Sequence, residues 1–182
     1  MLVSLVPFLV EGLSLLAFSR CYQLGRRDFT SIGRLTPEAF LWLLASYTGM
    51  TAAVALAVVI SPSTVDVSPP VAMGLGGAMI AGGLAMYLSA RIKLRSFRAA
   101  WALRVDELIT TGPYRLSRNP LVVGLVGILL GTSVATRSLP AMVLSGVYVW
   151  MSALWIGLEE AVLRRQFGDA YEEYCRQVRR VL

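Results

Sequence analysis

Two short polar runs interrupt an otherwise apolar chain, and their residue types are those that grip a small charged ligand. The first is Tyr114-Arg115-Leu116-Ser117-Arg118-Asn119, set between Gly112-Pro113 and Pro120; the second is Glu159-Glu160, directly after a long apolar stretch. Gly-Pro breaks a helix and a proline at a first helical position starts one, so the first run sits on a sharply defined turn. An acidic side chain suits an ammonium group, and an arginine or a backbone N–H suits a carboxylate, so the two runs together suit a zwitterion. Glu160 reads two ways, as a general base or as a solvated partner of Arg164 one turn on. Tyr114 is either a ring laid against a cation or an ordinary anchor at a membrane edge. Histidine is absent, which removes the commonest base near neutral pH and the commonest metal ligand. The two cysteines, Cys21 and Cys175, lie far apart and read as free thiols, so no metal site, disulfide framework, Ser-His-Asp or Cys-His catalysis is expected.

The elements that must position these runs are set by lipid. Of 182 residues, 56% are hydrophobic and 15% charged, against roughly 45–50% and about 25% in soluble domains. A chain this small has too little interior to bury that excess from water. A bilayer core needs roughly 20 apolar residues per helix, and five stretches approach this: Met1–Ser19, Pro37–Ile60, Pro69–Ala90, Pro120–Ala135 and Leu139–Gly157. The first lacks a basic start and a small-residue cleavage site, so a retained span is expected and not a signal peptide. It carries Glu11, which either faces the bundle or snorkels to the nearer surface. Thr36 reads as an N-cap with Pro37 at the first helical position. Glycines 74, 76, 77, 82 and 83 suit the third span to close helix packing in lipid. The stretch Leu158–Leu182 holds five arginines and five acidic residues and is expected to be a soluble amphipathic tail.

Sixteen of the seventeen basic residues fall between spans one and two, between three and four, or in the tail; Arg137 alone lies on the other side. The net charge of +6 is therefore read as topology and not as an affinity for nucleic acid. The fold class expected is all-α, an integral membrane bundle of five transmembrane helices in one domain, residues 1–182, with the N-terminus outside and the C-terminus cytoplasmic. In the connection after span three, Leu94, Phe97, Trp101, Val105 and Leu108 recur at helical spacing opposite Arg91, Arg95 and Arg98. That pattern predicts an interfacial helix with its basic side toward lipid phosphates.

The segments LITTGPYRLSRNPLVVG and EEAVLRRQFGDAYEEYCRQVRR resemble the paired C-terminal signature of the isoprenylcysteine carboxyl methyltransferase and phospholipid methyltransferase superfamily. The resemblance covers about residues 91–182. It implies S-adenosylmethionine bound in that part, behind three N-terminal spans (1–90), and a lipophilic methyl acceptor arriving from the bilayer. Carried over by position, Leu108, Ile109, Gly112, Tyr114, Asn119, Pro120, Val122 and Glu159 are implied to bind the cofactor, and Arg118 matches the arginine before the family's histidine; Arg118 and, as the nearest base, Glu160 are the expected catalytic residues. The sequence departs from the pattern at Asn119, where the family has histidine, at Val122, where it has tyrosine, and at Trp155, where prenylcysteine-specific members have a substrate-contacting arginine.

The chemistry fits these residues. Methyl transfer from a sulfonium is an in-line displacement helped mainly by positioning, so neither metal nor covalent nucleophile is needed. A carboxylate acceptor is already ionised at neutral pH, whereas an amine must first lose a proton. Two other readings stay open at this point: an NADPH-dependent enzyme like the membrane sterol reductases, and a non-catalytic scaffold in which the motif has decayed.

Overall fold

A computed structural model of the chain describes residues 3–60, 64–94 and 107–181. Its helices are α1 (Val6–Ser31), α2 (Pro37–Ile60), α3 (Pro69–Leu94), α4 (Pro120–Ala135), α5 (Leu139–Phe167) and α6 (Asp169–Gln177), with single 3-10 turns at Val3–Leu5 and Gly112–Arg115. The only β-type pairing among the described residues is the single bridge between Thr64 and Ser138. The all-α membrane bundle is therefore what the chain forms: α1, α2, α3 and α5 are long and apolar enough to cross a bilayer, and α4 is a shorter apolar helix. At 16 residues α4 measures about 24 Å, less than a hydrocarbon core of about 30 Å. Large side chains such as Leu13, Leu16, Val59, Met73 and Trp150 are exposed on the outer faces, as expected where the solvent is lipid.

Proline sets most of the starts. Pro37, Pro69 and Pro120 each open a helix and Pro140 follows the first residue of α5, because a first-turn proline loses no hydrogen bond. Thr36 does cap α2: its Oγ1 accepts from the Ala39 N–H at 3.3 Å. Its own N–H and hydroxyl both donate to the Asp28 carboxylate, at 2.8 and 2.6 Å, which fastens the α1–α2 hairpin.

The helix ends differ from the sequence expectation in one consistent way. α1 continues twelve residues past Ser19 to Ser31, carrying Arg20, Arg26 and Arg27 on helix, and α3 runs on to Leu94. The tail expected from Leu158 does not begin there: α5 passes unbroken through Glu159 and Glu160 to Phe167, and the break falls at Gly168, whose φ of 51° glycine adopts without strain. Charge ends an apolar run without ending a helix; glycine ends the helix. Of the expected interfacial helix, Arg95, Phe97, Arg98, Trp101 and Val105 lie outside the described residues, while Leu94 closes α3 and Leu108 packs on α6.

Two helical hairpins pack on α5. In the α1–α2 hairpin Gly49 lets Ser14 approach so closely that a Cβ there would collide with the Ser14 hydroxyl. α3 and α4 meet along glycines: a Cβ on Gly76 would lie 2.5 Å from the Gly131 carbonyl oxygen, and one on Gly83 2.6 Å from that of Gly124. Such backbone approach is how helices associate in lipid, where apolar side chains gain little from leaving one apolar medium for another. Tyr47 of α2 and Tyr148 of α5 cross edge-on at 5.3 Å between ring centroids, tying the first hairpin to α5. Glu11 faces the bundle and not the surface: it is 4% exposed, and neither carboxylate oxygen has a hydrogen-bond partner among the described residues. Both cysteines are free thiols, Cys21 buried and Cys175 half-buried.

Candidate functional site

One end of the bundle gathers the two polar runs. α5 brings Glu159 and Glu160 there, the 3-10 turn brings Tyr114, and the bend between that turn and α4 brings Ser117, Arg118 and Asn119. Gly112 makes the entry possible, since its φ of 65° lies in the left-handed region. Pro113 accepts from the N–H groups of Leu116 and Ser117 at 3.1 and 3.3 Å, which winds the turn tightly.

Glu159 and Glu160, adjacent in sequence, point into different surroundings. Glu159 is half-buried, and its Oε1 accepts from the indole N–H of Trp155, one turn earlier, at 2.8 Å. That indole is itself held: its ring lies 5.9 Å from Phe29, and the missing side chain at Gly25 leaves room for it, a Cβ there coming within 3.1 Å. Tyr114 lies within electrostatic reach of Glu159, Tyr174 and Arg91. Burial chiefly, with help from Tyr174 and Glu159, pushes its phenol above the ordinary range, so it stays protonated. Its backbone carbonyl accepts from the Tyr174 hydroxyl at 2.6 Å. Tyr47 of α2 also lies within electrostatic reach of Glu159, on the side facing the bundle core.

Glu160 is 2% exposed and sits between two guanidinium groups. Its Oε2 lies 2.5 Å from Arg180 Nη2, and its Oε1 is shared by Arg180 Nε and Arg118 Nη1 at 3.2 Å each. Of the two readings of Glu160, the solvated partner of Arg164 is excluded: Arg164 pairs with Glu172 at 2.8 Å instead. Arg118 also donates to the Cys175 sulfur at 2.5 Å, while its Nε is buried with no partner among the described residues.

The structure thus brings Glu159 toward Tyr114 and Glu160 onto Arg118. Asn119 spends its side-chain amide on the Arg180 carbonyl, 2.9 Å away, so no side chain caps α4. Pro120 is fully buried beneath it, and Val122 is half-buried in the first turn of α4. Leu108 stands further off, in an apolar cluster with Tyr171, Tyr174 and Val178, and Ile109 beside it is half-buried. Sequence reasoning did not find Trp155 as the holder of Glu159, Tyr47, or Arg180. Trp155 and Glu159 are one helical turn apart, a spacing that carries the contact; Arg180 lies among charges with no period to betray it.

The fold and the gathered polar runs define an integral membrane helical bundle with its charged side chains converging at one end. Residues 71–170 match the phospholipid methyltransferase family, and the chain belongs to it. Membership makes it a membrane methyltransferase with a lipid-type substrate. Neither a curated protein nor a solved structure matches the chain.

Proposed function

We propose that the protein transfers a methyl group from S-adenosylmethionine to a lipophilic acceptor entering sideways from the bilayer, at the basic, cytoplasmic end of the bundle. The observation that carries this is Glu159: a half-buried carboxylate where the apolar stretch of α5 stops, with one oxygen fixed by Trp155. The residues fit the cofactor. Glu159 suits its ammonium group, the unpartnered Arg118 Nε suits its carboxylate, and Tyr114 offers a ring to its sulfonium. The family resemblance adds Leu108, Ile109, Gly112, Asn119, Pro120 and Val122 to this surround, although Leu108 packs with Tyr171 and Tyr174 and the Asn119 amide is taken by the Arg180 carbonyl. The bound cofactor supplies an electrophilic methyl group whose bond to sulfur breaks as the acceptor atom bonds the carbon.

What the chain supplies is placement, worth several kcal/mol when reacting atoms are held in line. Glu160, engaged by two guanidinium groups, holds Arg118 and is poorly placed to take a proton. That favours an acceptor already ionised at neutral pH, a lipid carboxylate of the isoprenylcysteine type, over an amine.

Two measurements test this reading. Purified protein should bind radiolabelled S-adenosylmethionine, and Glu159→Ala should abolish binding; no binding at millimolar ligand, with binding of NADPH instead, overturns it in favour of a reductase. Membranes incubated with labelled cofactor should yield a labelled lipid that releases its methyl group in alkali, as an ester does; an alkali-stable label puts the methyl group on nitrogen or sulfur and refutes the carboxylate.

A further inference from the structure

After α6 the chain turns back across the site as an extended strap, residues 178–181. Val178 anchors it in the apolar cluster with Tyr171 and Tyr174. The Arg179 carbonyl then accepts from the Arg118 N–H at 3.0 Å, and the Arg180 carbonyl accepts from the Ser117 hydroxyl and the Asn119 amide at 3.2 and 2.9 Å. The Arg180 side chain returns to Glu160. A closed ring results: strap carbonyl to turn, turn to Arg118, Arg118 to Glu160, Glu160 to the strap's own guanidinium. The strap lies beyond residues 71–170, so the family match says nothing about it.

The ring sets how much of Arg118 is free. A carboxylate facing one guanidinium takes it with both oxygens. Here Arg180 occupies Oε2 outright and shares Oε1, so Arg118 reaches Glu160 through Nη1 alone and keeps its buried Nε without a partner. Two arginines against one buried glutamate also leave one positive charge in excess, with Arg180 half-exposed and Arg118 largely buried. We infer that Arg180 is a positioning residue: by saturating Glu160 it prevents Arg118 from collapsing onto that carboxylate, and so leaves the buried Nε edge of Arg118 uncommitted, for the carboxylate of the bound cofactor to take. This rests on the proposed function for the ligand's identity, but the competition between the two arginines stands on geometry alone.

The competition predicts a rescue that a merely structural role does not. Arg180→Ala frees Glu160 to take Arg118 with both oxygens, and binding of labelled S-adenosylmethionine to the full-length protein in lipid nanodiscs should weaken about tenfold, the worth of one charge-assisted contact. Adding Glu160→Gln removes the competing charge and should recover most of that loss. A second readout needs no cofactor. Cys175 lies against Arg118, and Cys21 is fully buried, so the rate of Cys175 alkylation by a maleimide reports whether Arg118 stays in place. It should rise in Arg180→Ala and return toward the wild-type rate in the double variant. Unchanged binding and alkylation in Arg180→Ala, or a double variant worse than the single one, overturns the inference. A wild-type protein that binds no cofactor refutes the proposed function, and the alkylation series still decides the role of Arg180. If Arg180→Ala does not fold, Arg180→Gln keeps the backbone bonds and part of the stem and carries the same comparison.

Discussion

Trp155 shows what a single residue does in the candidate site and why its type misleads in sequence. It stands where prenylcysteine-specific relatives of the resembled superfamily have an arginine, which made it read as a loss of substrate contact. In the fold its indole N–H fixes one oxygen of Glu159 at 2.8 Å, so the position has acquired a donor aimed at its own helix. Trp155→Phe keeps a ring against Phe29 and deletes only that N–H. S-adenosylmethionine should bind roughly tenfold more weakly, as expected for one hydrogen bond to a charged group, while the thermal midpoint moves little; equal affinity in an equilibrium binding assay would show that the contact holds nothing the ligand uses. Tyr174 yields a prediction in pH. Its hydroxyl donates to the Tyr114 carbonyl, and burial chiefly raises its pKa from 10 to about 12. The folded state therefore binds the proton more tightly than the unfolded chain, so this stabilisation is complete below pH 10 and is lost as pH rises from 10 to about 12. Tyr174→Phe should flatten that alkaline decline, read as the thermal midpoint against pH.

At the scale of elements, starts were legible and ends were not. Pro37, Pro69 and Pro120 mark helix starts where the structure has them, because proline's missing N–H and fixed φ act locally. Apolarity stops at Ser19 and Gly157, yet both helices project beyond the apolar stretch, to Ser31 and Phe167. Hydropathy measures the bilayer, and only Gly33 and Gly168, both at positive φ, measure the helix. The glycines of α3 were legible as a packing face, though not which of them packs. Gly76 and Gly83 face α4, whereas a Cβ on Gly74 or Gly77 meets nothing within 4 Å. Gly83→Ala sets a methyl group 2.6 Å from the Gly124 carbonyl and must part the two backbones; overpacking of this kind costs about 1–3 kcal/mol. Gly77→Ala should leave stability unchanged or slightly raised. Thermal unfolding in detergent compares the two, and equal losses would mean that the glycine seam is not what joins α3 to α4.

For the whole molecule, orientation decides whether the candidate site can meet a soluble cofactor. The C-terminal ends of α1, α3 and α5 and the turn before α4 lie at one end of the bundle, as the contacts from Arg165 to the Phe29 carbonyl, from Asp28 to Thr36 and from Tyr87 to Gly124 require. Every described basic residue except Arg137 belongs to that end. Arg137 sits at the other, its side chain donating to the Val67 carbonyl at 3.2 Å and its carbonyl accepting from Val65, which clasps the connection after α2 to the α4–α5 hairpin. A single arginine does little to hold its end inside, whereas a cluster of arginines strongly disfavours translocation. The basic end should therefore face the cytoplasm, the side on which the proposed reaction needs its charged, water-soluble methyl donor. Single cysteines read this directly in a Cys175→Ser background, Cys21 being buried. Asp66→Cys, exposed on the clasped loop, should react with a membrane-impermeant maleimide in intact cells, and Arg115→Cys, exposed on the turn, only after the membrane is opened. The reverse pattern would put the site outside, and with it would fall the supply of cofactor on which the proposed reaction depends.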